Sequence, residues 1–137
     1  MPLRINLKPN ERLIINGAAI RNGDRATSLL IENPCKFLRE SEIIPESEAD
    51  TACKQICVTL QLIYLADHPR EADDLLVRQS TELLKAMPTS APYLVAIQDE
   101  LAAGQYHRAL KVGRELVAYE RSLLDRLETP PDAASPS

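Results

Sequence analysis

Aromatic side chains are scarce. They make up 4% of the 137 residues, with one Phe, four Tyr and no Trp. A sheet that stacks several single-stranded bases needs more than this on one face. Glycine is equally thin, at four residues, and none falls in a GxxxxGK(S/T) or GxGxxG phosphate loop. The two histidines, His68 and His107, are too few for most acid–base or metal chemistry, and neither pairs with a Ser or Cys nucleophile in this sequence. Three cysteines are an odd number, which speaks against a disulfide framework and fits reduced cytosolic thiols. No apolar run is long enough to cross a bilayer, and residues 1–20 lack the basic, apolar, small order of a secretory signal, so a cytoplasmic protein is expected. Together these absences lean away from an enzyme and toward a binding or regulatory protein that carries no cofactor and no metal.

What is present is an ordinary globular composition, 45% apolar and 26% charged, of a length that fits one domain or one small domain with an appendage. The net charge of −4 and pI near 5.2 exclude a uniformly basic nucleic-acid binder but not a local basic face. Charge is unevenly spread. Residues 1–39 hold seven Lys/Arg against three Asp/Glu, residues 40–50 hold five acids and no base, and residues 51–137 hold nine bases against twelve acids. The N-terminal piece is the one basic segment, and a polyanion would dock there.

Residues 3–39 read as short strands. Leu3, Ile5 and Leu7 alternate with Arg4, Asn6 and Lys8, a period of two. Pro9-Asn10, Asn16-Gly17 and Asn22-Gly23-Asp24 supply turn and hairpin punctuation, and Thr27–Ile31 and Cys35–Leu38 add further β segments. The predicted product is one small antiparallel sheet or half-barrel. An acidic connector containing Pro45 follows. From Thr51 the period becomes helical. Cys53, Ile56, Cys57, Leu60, Ile63 and Tyr64 share one face, widened by Val58, Leu62 and Leu65, which predicts a helix buried on most sides. A second helix is predicted from Pro69 to Met87 with Ala72, Leu75, Leu76, Gln79, Leu83 and Met87 inward, closed by Pro88. A third runs from Ser90 to Ala103, and a fourth from Gln105 to Leu127 with Tyr106, Ala109, Leu110, Gly113, Leu116, Val117, Leu124 and Leu127 inward. The expected fold class is therefore α+β: residues 1–44 form a β-rich module, 45–50 an acidic connector, 51–128 a bundle of about four helices, and 129–137 a disordered tail. A β module of this size buries little core alone and must lean on the helices or on another subunit.

The N-terminal string Met1–Ala18 (MPLRINLKPNERLIINGA), followed by Ile20–Arg25 (IRNGDR) and Phe37–Glu40 (FLRE), resembles the FlbT family of flagellum biosynthesis repressors. Gln105–Leu110 (QYHRAL) and Tyr119-Glu120 resemble the same family, and the likeness spans about residues 1–127. It implies a post-transcriptional regulator that associates with the 5′ untranslated region of flagellin mRNA and promotes its decay, together with the small helical partner FlaF. A second likeness, over residues 3–44, is to the carbon-storage regulator CsrA. Asn10-Glu11-Arg12-Leu13 stands where that family has Gly-Glu-x-Leu, and Leu38–Ile43 is similar to its His-Arg-Glu-Glu-Ile ending. That likeness implies a half-barrel, an intertwined homodimer, and RNA contacts from the first and last strands, at the positions of Lys8 and Arg39; Leu7 replaces a neighbouring Arg.

The expected RNA-binding residues are Arg4, Lys8 and Arg39, with Arg4 and Lys8 on one face of one strand. The bland alternative is solvated edge residues that keep the strand from aggregating. Arg21 and Arg25 read as solvated turn residues, Cys53-x3-Cys57 as buried apolar filler, His68 as a helix C-terminal residue and His107 as a surface residue. Residues 104–110 look like part of a tetratricopeptide helix, but a single unit does not make a repeat protein. Two functions stay open: an RNA-binding repressor acting on the flagellin mRNA leader without chemistry of its own, and a helical adaptor that holds FlaF or flagellin and affects mRNA indirectly. No membrane partner is expected.

Overall fold

The computed structural model describes residues 2–66 and 70–128. His68, the predicted second-helix start at Pro69 and the tail 129–137 lie outside the described residues. The architecture is α+β, with five short strands followed by four helices.

Strand β1 (Leu3–Leu7) buries Ile5 and Leu7 and leaves Arg4 and Asn6 in solvent, as its period of two requires. The turn after it is closed by the Glu11 N–H donating to the Lys8 carbonyl at 3.1 Å, with Asn10 at φ 61°. Strands β2 (Arg12–Ile15) and β3 (Ala18–Arg21) form a two-residue hairpin through Asn16 (φ 48°) and Gly17 (φ 86°), the left-handed conformations that Asn and Gly adopt most cheaply. Strand β4 (Thr27–Ile31) pairs antiparallel with β1, from Leu3↔Ile31 to Leu7↔Thr27. Strand β5 (Phe37–Arg39) pairs with the other edge of β2, setting Leu13 opposite Arg39.

The strands form two sheets, β1–β4 and β3–β2–β5, where one was expected. The difference lies in Asn22-Gly23-Asp24, which is a crossing between sheets and not a hairpin. The Asn22 side chain donates to the carbonyls of Lys8 (2.8 Å) and Arg25 (2.9 Å), and Asn10 N–H donates to the Gly23 carbonyl (2.8 Å). These bonds tie the crossing to the β1–β2 turn, so β4 leaves β3 and lies on β1.

Helix α1 (Ala52–Leu65) is capped by the Thr51 hydroxyl, which accepts from Lys54 N–H. Helices α2 (Arg70–Ala86), α3 (Ala91–Ala102) and α4 (Tyr106–Glu128) follow, with α1 packed between α2 and α4, and α3 on α4. Gly104, at φ 73°, turns the chain from α3 into α4. The predicted α1 face is buried in full, each Leu or Ile of it worth roughly 1.5–3 kcal/mol. Its flanks are closed by polar residues and not by Leu62, which is exposed: buried Thr59 donates to Gln79 Oε1 of α2, and buried Gln61 meets Ile44, which lies between β5 and α1.

Leu75 also lies at the solvent edge of α2. Leu124 is exposed and Leu127 is 83% exposed, against their inward assignment. The reason is length. Helix α4 runs antiparallel to α1, with His107 against Tyr64 and Gly113 against Leu60 and Cys57. The start of α3 meets α4 at the Tyr93–Tyr119 ring stack, so the final turns of the longer α4 overrun both neighbours.

Two apolar clusters result. Ile5, Leu7 and Leu13 fill the β module, and the larger cluster lies among the helices. Leu38 of β5 belongs to the helical cluster, with Ile43 and Ile44 beside it, so the β module leans on the helices. Cys53 and Cys57 are fully buried in that cluster, and all three cysteines are free thiols. Burial pushes the Cys57 thiol up to about 11 and raises Cys53 further, with Glu120 adding to the rise at Cys53.

Candidate nucleic-acid interface

Arg4 stands on the outer face of β1, and Lys8 just beyond its end. Arg39 reaches the same region from β5, because antiparallel pairing with β2 brings the end of that strand alongside the β1–β2 turn. The three line one cleft of about 510 Å³, shared with Glu11, Glu42 and His107 of α4. The structure thus brings together all three residues expected from sequence.

Their roles differ. Arg4 and Lys8 are exposed, and among the described residues neither side chain forms an ion pair within 4.0 Å of a carboxylate. Arg39 is half-buried and committed. Its Nη2 lies 3.1 Å from Glu11 Oε2 and also donates to the Asn6 carbonyl, while its Nε donates to Glu11 Oε2 at 3.3 Å. Glu11 Oε1 in turn accepts from Lys8 N–H at 2.8 Å. Arg39 therefore fastens β5 to β1 and to the turn, a contact between residues 28 positions apart that no local sequence pattern signals. Glu42 does comparable work at the far wall. One oxygen accepts from Arg39 N–H at 3.1 Å. The other lies 3.3 Å from Arg114 Nη1 and 3.6 Å from His107 Nε2. Arg114 Nη1 makes no aligned hydrogen bond there, so that contact is purely electrostatic. His107 is a surface residue, as expected, but a wall of this cleft as well.

The Lys8 N–H bond, followed by the Arg39 guanidinium, holds the Glu11 carboxyl below its ordinary value of 4.5. A carboxyl with a lowered folded value contributes stability above its ordinary pKa and loses it as pH falls through the lower one. Glu11→Gln, followed by thermal melts from neutral pH down into acid, should therefore lose less stability on acidification than the parent does. Identical acid limbs would show that Glu11 contributes nothing to the linkage.

The sequence matches the family described as Flagellar protein FlbT over residues 3–124. The chain belongs to the FlbT family. Among FlbT relatives, the probable flagellum biosynthesis repressor protein FlbT 1 of Bradyrhizobium diazoefficiens is 34% identical over 129 residues, 93% of this chain and 88% of that one. The probable flagellum biosynthesis repressor FlbT of Rhodopseudomonas palustris is 34% identical over 126 residues, 92% of this chain and 100% of that protein. The flagellum biosynthesis repressor FlbT of Caulobacter vibrioides is 30% identical over 134 residues, 94% of each. No solved structure matches. Among the described residues no helix is long and apolar enough to cross a membrane.

Proposed function

We propose that this FlbT-family chain is a cytoplasmic repressor in flagellum biosynthesis that acts after transcription. It associates with the 5′ untranslated region of flagellin mRNA and leaves degradation to cellular ribonucleases. It is a stoichiometric binder and performs no chemistry of its own. The observation that carries this reading is the cleft where Arg4 and Lys8 present exposed cations, neither in a close ion pair among the described residues, on the one basic segment of an acidic chain. Arg39 takes part from a fixed position, as the group that holds β5 against the turn carrying Lys8. The active form is a homodimer. Its motive is the small β core of Ile5, Leu7 and Leu13 beside the exposed apolar residues Leu3, Ile20 and Leu30. A FlaF-type helical protein and flagellin are its protein partners.

The test is a titration of purified protein with flagellin leader RNA at several salt concentrations. Binding to single-stranded RNA should weaken with salt by roughly 0.7 log units per log unit for each phosphate contact, so Arg4→Ala with Lys8→Ala should lower the slope by about 1.4. Light scattering on the same samples gives the mass, which should be that of a dimer. A parent protein without measurable RNA affinity, with or without FlaF, favours the second reading, a helical adaptor. That reading rests on a different surface. Val77 of α2 and Val95 of α3 are 58% and 59% exposed, and a groove of about 330 Å³ lies between these helices.

A further inference from the structure

Arg12 and Arg21 occupy directly paired positions across β2 and β3. Residues so paired project from the same face, with Cβ atoms roughly 4.5–5.5 Å apart, and like charges there repel. Both arginines are exposed, and among the described residues neither has a carboxylate partner. The repulsion is not relieved from within the fold. Glu11, next to Arg12, commits its carboxylate to Lys8 N–H and Arg39. Asp24, the acid of the nearby crossing, pairs with neither arginine.

Two further cations are held beside this pair. The Asn22 side chain bonds the carbonyls of Lys8 and Arg25, and its backbone N–H donates to the Glu11 carbonyl at 2.8 Å. Asn22 follows Arg21 directly, so Lys8, Arg12, Arg21 and Arg25 all spring from one hydrogen-bonded knot of backbone. Hydrogen bonding fixes the stems of these side chains and leaves the charged ends in solvent. Two like charges facing each other across a strand pair repel, and an anion lying across them turns that repulsion into attraction.

We propose that Arg12 and Arg21 clamp a phosphodiester of single-stranded RNA, with Lys8 and Arg25 holding the neighbouring phosphates. The proposal rests on the RNA-binding reading above and deepens it: the phosphate track turns from the Arg4–Lys8 cleft around the turn to the β2–β3 face. Guanidinium groups suit this work, because each presents parallel N–H donors to two phosphate oxygens.

The test compares Arg12→Gln/Arg21→Gln with the parent in leader-RNA titrations across salt. The slope of log affinity against log salt should fall by about 1.4, which is two phosphate contacts. At low salt the same variant should melt at or above the parent temperature, because a repulsion has been removed; a weaker binder that is no less stable cannot owe its loss to unfolding. Arg12→Lys/Arg21→Lys, which keeps both charges, should restore most of the slope. A Gln variant with the parent's slope and affinity overturns the clamp while the Arg4–Lys8 reading stands. A Lys variant as impaired as the Gln variant also overturns it, since charge would then not be what binds. A parent protein that binds no RNA overturns the clamp and the RNA reading together.

Discussion

Leucine at position 113 should prise α1 from α4 and lower stability by about 3 kcal/mol, the upper part of the usual range for overpacking a core. Gly113 is buried where the two helices meet. A Cβ added there would sit 2.8 Å from Leu60 Cδ1 and 3.5 Å from Cys57 Sγ. Leu60 is itself 1% exposed and has little free space to turn into. An alanine already forces that packed methyl to move, a cost partly offset by removing a helix-interior glycine worth about 1 kcal/mol relative to alanine, so Gly113→Ala should cost clearly less than the leucine. Leucine brings three more carbons into a space already filled. For a domain of this size the melting temperature should drop by roughly 10 °C. Paired melts of the two variants check the argument. A leucine variant as stable as the alanine one would mean that the helix pair can part without loss, and that Gly113 is not the point of closest approach.

Much of this architecture was legible in the chain. The alternation that buries Ile5 and Leu7 but leaves the terminal Leu3 exposed, the Asn16-Gly17 turn and the helical stripe from Cys53 to Tyr64 each encode a local geometry, and each forms. Gly113 lies inward as the α4 stripe predicts, because its place in the stripe does not depend on what it touches. The departures from the sequence pattern are of another kind. Leu124 and Leu127 carry the same stripe onward, but whether a stripe is covered depends on the length of the neighbouring helices. The two-sheet arrangement hangs on the Asn22 amide bonding Lys8, 14 residues away. The candidate site was visible in its cations and invisible in its pairings. Arg4, Lys8 and Arg39 do share a cleft. What sets Arg39 apart is its close ion pair with Glu11, a partnership made by the fold alone. The facing of Arg12 and Arg21 likewise needs the register, which the hairpin turn sets and composition does not reveal.

Gln61→Leu should loosen the hold of the helices on the β module at a cost of about 2–4 kcal/mol, even though it exchanges a polar core residue for an apolar one. Gln61 is 7% exposed on α1. Its Oε1 accepts from Ile44 N–H at 2.6 Å and its Nε2 donates to the Ile44 carbonyl at 3.0 Å. One side chain thus satisfies both backbone groups of a residue that ends the β module and packs on the helical core. Leucine matches glutamine in size and in helix propensity, so α1 itself should not weaken. What changes is that a partly buried donor and a partly buried acceptor lose their partners together, at a combined cost of about 2–4 kcal/mol when water reaches them poorly. The neighbouring tie, the Tyr64 hydroxyl accepting from Phe37 N–H at 3.2 Å, then holds the junction with Leu38 alone. Denaturant unfolding should show a lower midpoint with an unchanged slope, because the same surface is exposed on unfolding. Hydrogen exchange should quicken at the Ile44 amide and along β5 before it does in α1 or α4, since local opening begins where the bonds were lost. A variant within about 0.5 kcal/mol of the parent, with Ile44 still protected, would show that Leu38 and Tyr64 suffice to join the two parts.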